Sequence, residues 1–196
     1  HELRVDGAGI LVDCGLFQGA ETSGAGADRD NLAIDFPLAH IRALVVTHVH
    51  IDHVGRIPYL LAAGFEGPIY CSVPSAILLP LVIEDALAVG ATRDRRLIAR
   101  TLERLKSQLR PLPCGKWQRI ATGTDAGLEI RLQRAGHILG STYVECRVSP
   151  VGPDPQEPAP WHFRVVFSGD LGASHTPLLP EPEPPLGCHT LVIEST

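Results

Sequence analysis

Six consecutive residues, His48-Val49-His50-Ile51-Asp52-His53, hold four side chains that can each offer a lone pair to a metal ion, and they follow the apolar run Ala43-Leu44-Val45-Val46. A strand ending just before a ligand-rich loop leaves that loop at the rim of its sheet, where imidazoles and a carboxylate can converge on one point. A helix brings residues four apart onto one face, as in a His-Glu-x-x-His zinc site, whereas offsets of two, four and five need an irregular turn. Two of the imidazoles can serve one ion and the Asp52-His53 pair a second. Imidazole and carboxylate suit zinc or manganese, and two ions about 3.5–4 Å apart activate water for hydrolysis. A surface accident or a satisfied polar turn accounts poorly for so long a pattern directly behind a strand.

This pattern resembles the signature of the metallo-β-lactamase fold, and further segments similar to that family follow in its order. Asp13 follows Ile10-Leu11-Val12 and opens Asp13-Cys14-Gly15-Leu16-Phe17-Gln18-Gly19. The resemblance makes it a partner that accepts the free N–H of a ligating histidine, fixing its tautomer and raising its basicity. His137, within Gly136-His137-Ile138-Leu139-Gly140-Ser141, is implied to complete a three-histidine set with His48 and His50. Asp170, within Phe167-Ser168-Gly169-Asp170-Leu171-Gly172, is implied to bridge two ions and to join Asp52 and His53 on the second. Taken alone, either residue would read as structural; jointly and in order they read as ligands.

The closing segment Leu191-Val192-Ile193-Glu194-Ser195-Thr196 resembles the first motif of the β-CASP nucleases, the branch that includes ribonuclease J and the messenger-RNA 3′-end cleavage factor. In that branch the acid, here Glu194, orients a histidine of a further domain. The resemblance therefore implies a metal-dependent phosphodiesterase acting on RNA or another nucleic acid, with two zinc ions, manganese being tolerated, and a bridging hydroxide. Asp52, Asp13 and Glu194 are the residues on which catalysis is expected to depend, and His48, His50, Asp52, His53, His137 and Asp170 the ligands. The expected fold is α/β, an αβ/βα sandwich.

Against the family pattern, residues 1–196 are expected to form one metallo-β-lactamase domain truncated at both ends, without the β-CASP domain and the later return of the chain. Neither His175, in a Ser/Thr/Pro loop, nor His189, before a strand, matches a ligand position. The expected consequence is that the intact parent is a nuclease and this piece alone is weak or inert. Two other readings use the same residues. One is a metallo-hydrolase of thioesters, lactones or β-lactams, against which the Glu194 segment and the helical stretch Ser75 to Leu109 count. The other is a non-catalytic RNA-processing subunit that retains the fold, which would take up no metal.

The elements that must position these groups are legible from pattern. Leu3 to Val5 and Ile10 to Val12 suggest a hairpin about Gly7 and Gly9, and Gly19 to Asn31 a polar, Gly-rich loop. Ala43 to Thr47 is the strand carrying the histidine run. Ile57 to Ala63 reads as a short helix, Pro68 to Cys71 as a strand, Ser75 to Val89 as a helix with a kink at Pro80, and Asp94 to Leu109 as a basic amphipathic helix. Trp117 to Ala121, Leu128 to Gln133, Thr142 to Ser149, His162 to Phe167 and Leu191 to Glu194 read as strands, with a Pro-rich hairpin loop from Pro150 to Pro160.

Composition sets the remaining bounds. A chain of 196 residues with 44% hydrophobic content can bury one sizeable core, and its apolar runs are expected to fall short of a membrane span. Five cysteines, scattered and without a Cys-x-x-Cys pair, favour a reducing, cytoplasmic compartment over a disulfide framework. A homo-oligomer is compatible with everything above. The net charge of −5 argues against a phosphate-rich partner, but seven of the 17 basic residues crowd between Arg93 and Arg110. Ile98, Leu102, Leu105 and Leu109 put those cations on the wet face of a helix. A solvated face is the default reading; an RNA-contacting face is the rival, and neutralising Arg96 and Arg100 would then flatten the salt dependence of RNA binding.

Overall fold

The computed structural model describes residues 1–16, 32–123, 126–149 and 162–194. The expected loops at Gly19 to Asn31 and Pro150 to Pro160 lie outside the described residues.

Two five-stranded sheets face each other. The first runs in the order β1 (Glu2–Val5), β2 (Ala8–Val12), β3 (Ile41–Val45), β4 (Ile69–Ser72), β5 (Leu109–Leu112). The β1–β2 pair is an antiparallel hairpin, and its turn residues Asp6 and Gly7 both have positive φ, 48° and 78°, as a tight Asp-Gly turn requires. From β2 to β5 every pairing is parallel, so these strands all end at one rim. The second sheet runs β10 (Thr190–Val192), β9 (Phe163–Phe167), β8 (Thr142–Ser149), β7 (Gly127–Arg134), β6 (Trp117–Ile120), antiparallel except for β9–β10.

Alternation along the strands sorts the core into two layers. Ile10, Val12, Ala43 and Val45 point between the sheets, where they meet Leu128, Ile130, Leu132, Val144, Cys146, Val165 and Phe167. Leu11, Leu44 and Val46 point the other way, onto a helical layer. That layer comprises α1 (Ile51–Val54), α2 (Ile57–Ala62), α3 (Val73–Ala86, continuing as a π turn over Leu87–Ala91) and α4 (Arg95–Gln108). Burying a side chain of Leu44's size contributes about 2 kcal/mol, and both faces of β2 and β3 gain it. The outer face of the second sheet is polar: Arg131 pairs with Glu145 and Arg147 with Glu129 across β7–β8, and both guanidinium groups lie over Trp117, at 4.6 and 4.4 Å.

Several elements differ from the sequence-based expectation. The histidine run does not stay irregular: after His50 the chain enters the single turn α1, so Asp52 and His53 stand on a helix while His48 and His50 precede it. The basic helix ends at Gln108, and Leu109–Leu112 forms an edge strand that a Leu-Arg-Pro-Leu sequence does not announce. Pro111 is tolerated there because an edge leaves one row of backbone groups without ladder partners. The helix expected from Ser75 starts at Val73 and continues through Pro80. With its π extension it is 19 residues long and, by length and composition alone, passes as a membrane span, contrary to the expectation that no run would come near one. Counting apolar letters missed it because Glu84 and Asp85 sit within the run. In the fold Leu79, Ile83 and Leu87 of this helix are buried in the helical layer.

Candidate metal centre

The rim where β2 and β3 end is built by close backbone contacts. Asp13 directly follows β2 and adopts a left-handed conformation, φ 61°, which Asp tolerates better than most residues. Its amide donates to Val45 O at 2.9 Å. Gly15 packs against the start of α1 so closely that a Cβ there would lie 1.4 Å from Asp52 O. The Gly169 backbone, φ 51°, lies against Thr47, and Gly172 against Gly136, whose carbonyl oxygen would be 1.8 Å from an added Cβ. These approaches bring four segments, residues 13–15, 47–54, 136–141 and 168–172, to one place.

There the side chains converge as two donor sets. In the first, His48 Nε2 and His137 Nε2 each lie 3.1 Å from His50 Nδ1. Asp170 Oδ2 stands 3.7 Å from His48 Nε2 and 3.5 Å from His137 Nε2. In the second, His53 Nε2 faces Asp52 Oδ2 at 3.6 Å and Asp170 Oδ1 at 2.9 Å. Within each set the donor atoms all lie within 4.8 Å of one another, and Asp170 belongs to both.

The tautomers follow from the surroundings. Thr47 has one hydroxyl proton and gives it to Asp13 Oδ2 at 2.7 Å, so its oxygen accepts the Nδ1 proton of His48 at 3.1 Å. Asp13 Oδ2 also takes the Nδ1 proton of His53 at 2.8 Å, while Oδ1 accepts Thr47 N at 2.8 Å. In the neutral form, each histidine thereby carries its Nε2 lone pair toward the centre. Burial, followed by the charge of His53, pushes His48 down to about 3, so its ring stays neutral. At His53 burial pulls downward, but the hydrogen bond and charge of Asp13, with Asp170 and Asp52, outweigh it and the net shift is upward.

With the His48 proton on Nδ1, one proton on His50 Nδ1 would have to be divided between His48 Nε2 and His137 Nε2, whereas a cation among the three nitrogens takes a lone pair from each. The donor chemistry therefore fits metal ions, with imidazole and carboxylate suiting a divalent one.

All six sequence-predicted ligands, His48, His50, Asp52, His53, His137 and Asp170, are brought together here, and Asp13 stands behind His53. Glu194 lies just past β10. Its Oε1 accepts the Leu171 amide at 2.5 Å and its own amide donates to Ser168 Oγ at 3.0 Å, so it braces the loop that carries Asp170. It lines a cleft of about 120 Å³ together with Asp13, His53 and Asp170. His175 and His189 lie elsewhere: the first pairs with Glu181, and the second stacks on Phe163 and accepts the Arg164 amide. Sequence reasoning missed Thr47, which is fully buried and links Asp13 to His48; only its place next to His48 hinted at a role.

Most cations of the basic helix, α4, are exposed, with Arg104 half-buried. Arg104 donates to Phe65 O, so one of its cations serves the fold. All five cysteines are free thiols.

A family model described as the metallo-beta-lactamase superfamily matches residues 3–148. The chain belongs to the metallo-β-lactamase superfamily. Among curated relatives, a ribonuclease of Thermus thermophilus is 34% identical over 95% of this chain and 38% of its own length. The transcription termination factor FttA of Methanococcus maripaludis is 31% identical over 95% of this chain and 27% of its own. A cleavage and polyadenylation specificity factor subunit, 3-II, of Arabidopsis thaliana is 30% identical over 86% of this chain and 26% of its own. This metallo-β-lactamase chain thus spans 38% or less of the length of each of these three relatives.

Proposed function

We propose that residues 1–196 are the site-bearing part of a metallo-β-lactamase domain from a β-CASP-type ribonuclease with a dinuclear zinc centre. The observation that carries this reading is the Asp170 carboxylate, which turns Oδ2 toward the three-histidine set and Oδ1 toward His53. His48, His50, His137 and Asp170 would hold one ion, and Asp52, His53 and Asp170 the other. Zinc suits these donors, and manganese would be accepted. Divalent cations held there supply Lewis acidity, lowering the pKa of water toward neutrality and offsetting charge that builds on a phosphoryl oxygen.

The chain's own residues contribute placement. Asp13 and Thr47 hold His53 and His48 in the tautomers that leave Nε2 unprotonated. Asp52, half-buried beside His53, is the carboxylate best placed to orient a water molecule at the open side of the second set. Glu194 holds the backbone beside Asp170. Fixing these groups before substrate arrives removes reorganisation from the reaction itself. RNA as substrate is supported by the names of the ribonuclease and of the cleavage-factor subunit among the relatives.

The test uses the full-length protein. Wild type should bind two zinc ions per chain and cleave RNA, and Asp52→Ala should stay folded and lose cleavage. An Asp52→Ala protein that cuts RNA at the wild-type rate overturns the assignment.

A further inference from the structure

Outside the two donor sets, a buried polar cluster joins Ser72 and Ser75 to the backbone of Gly140, 68 and 65 residues away. Ser72 is the N-cap of α3 and accepts from Ser75 N at 3.2 Å. A capping side chain needs only that acceptor role and commonly leaves its own proton to water. Here Ser72 Oγ lies 2.6 Å and Ser75 Oγ 3.1 Å from Gly140 O, each with a proton to donate to it, and the two hydroxyl oxygens stand 3.0 Å from each other. Both serines are buried, 2% and 0% exposed. Two buried hydroxyls at the start of α3 are costly unless bonded, and the partner they share is one carbonyl.

That carbonyl belongs to the turn that carries His137. Within the turn the amides of His137 and Ile138 both donate to Ser141 Oγ, at 2.9 and 3.1 Å, and Ser141 N returns to Ile138 O at 3.0 Å. Residues 137–141 therefore form one closed unit. Its base is tied down where Ala135 N meets Ser141 O and Thr142 N meets Thr47 O. Its tip is anchored by Ile138, which packs against the helical-layer core, while Leu139 is 59% exposed. The pair of serine hydroxyls fastens that tip to the first half of the fold. The fit admits only glycine: Gly140 has φ +84°, and a Cβ there would lie 2.9 Å from Ser72 Oγ, Ser75 N and Ser75 Oγ.

We propose that Ser72 and Ser75 are positioning residues for His137, acting through the Gly140 carbonyl to hold its imidazole against His50 and Asp170. The other three histidines of the centre leave β3 or the turn after it, in the first half of the fold. His137 comes from a loop of the second sheet, and its distance to them depends on how the two halves are pinned. The proposal rests on the metal-site reading above.

The experiment compares zinc affinity by chelator competition, the visible spectrum of the cobalt-substituted protein, and thermal unfolding of the metal-free protein, all in the full-length chain. Ser75→Ala keeps the Ser72 cap and removes one of the two donors, so it isolates the clamp from helix stability. It is expected to bind zinc up to about 10-fold more weakly, the low end of the cost of losing a group that bonds a ligand directly, because Ser75 acts through the backbone and Ser72 remains. Its cobalt spectrum should change and its metal-free melting temperature should stay near that of wild type. Ser72→Ala should do the same with an added loss of stability from the cap, and Ser72→Thr, which keeps both roles of the hydroxyl, should recover affinity. Ser75→Ala and Ser72→Ala that bind zinc as wild type does, or that show an unchanged cobalt spectrum, overturn the clamp alone. Wild type that takes up no zinc overturns the clamp and the metal reading together.

Discussion

Asp13 and His53 stand 40 residues apart in sequence and 2.8 Å apart in the fold, carboxylate Oδ2 against ring Nδ1. The contact decides which nitrogen of His53 is free. Asp13→Asn tests it without removing bulk. The backbone donor Thr47 N holds the position of Oδ1, so the new amide nitrogen must take the place of Oδ2 and face the His53 ring. The His53 proton then moves to Nε2, toward Asp170. Zinc affinity at the Asp52-His53 set should fall about 10- to 100-fold, measured by chelator competition, with little change in far-ultraviolet circular dichroism.

Asp170 is shared by the two donor sets, whereas His137 belongs to one. Asp170→Ala should weaken both sites, and His137→Ala only the three-histidine site. Metal content after dialysis against a defined chelator concentration reads the difference: near zero for the first variant and near one ion per chain for the second.

Gly172 is a packing requirement of the rim. Its amide donates to Ala135 O at 2.8 Å, and an added Cβ would fall 1.8 Å from Gly136 O. Gly172→Ala should cost roughly 1–3 kcal/mol as the 168–172 segment is pushed from the 136–141 turn. Zinc affinity should fall with it, since the two segments carry Asp170 and His137. Urea unfolding and metal titration report the two effects.

Burial pushes the thiols of Cys71 and Cys146 up to about 12. Unfolded, a thiol ionises near 8.5. Above that pH the unfolded chain has lost protons the native chain keeps, so native stability is full below about 8.5 and declines as pH rises toward 12. Urea midpoints should therefore drop between pH 8 and 10.5, and Cys71→Val with Cys146→Val should flatten the slope. Exposed Cys188 should react with a thiol reagent in the native state, while Cys71 and Cys146 should wait for unfolding.

Much of the fold was readable from pattern. The unbroken apolar runs Ile10, Leu11, Val12 and Ala43 through Val46 mark strands buried on both faces, and Asp94 with Ile98, Leu102 and Leu105 marks the amphipathic helix. What escaped was short or set by neighbours. The single turn α1 is too brief to show a period, and Leu109–Leu112 is a strand only because β4 offers it an edge. The length of the α3 helix was hidden by Glu84 and Asp85, which matter little on an exposed face.

By itself the sequence supplied the candidate donors: four histidines and two aspartates, with an acid before them and another after, in an order that resembles one family's motifs. Tertiary structure decided which atoms do what. That Asp13 serves His53, that Thr47 relays to His48, that His50 presents Nδ1 while the others present Nε2, and that Asp170 divides its two oxygens are all consequences of how two sheets pack. The physical reason is range. Side-chain type and periodicity are local properties of the chain, whereas a proton's place on an imidazole is set by whichever acceptor the packing brings within 3 Å, and that acceptor lies up to dozens of residues away.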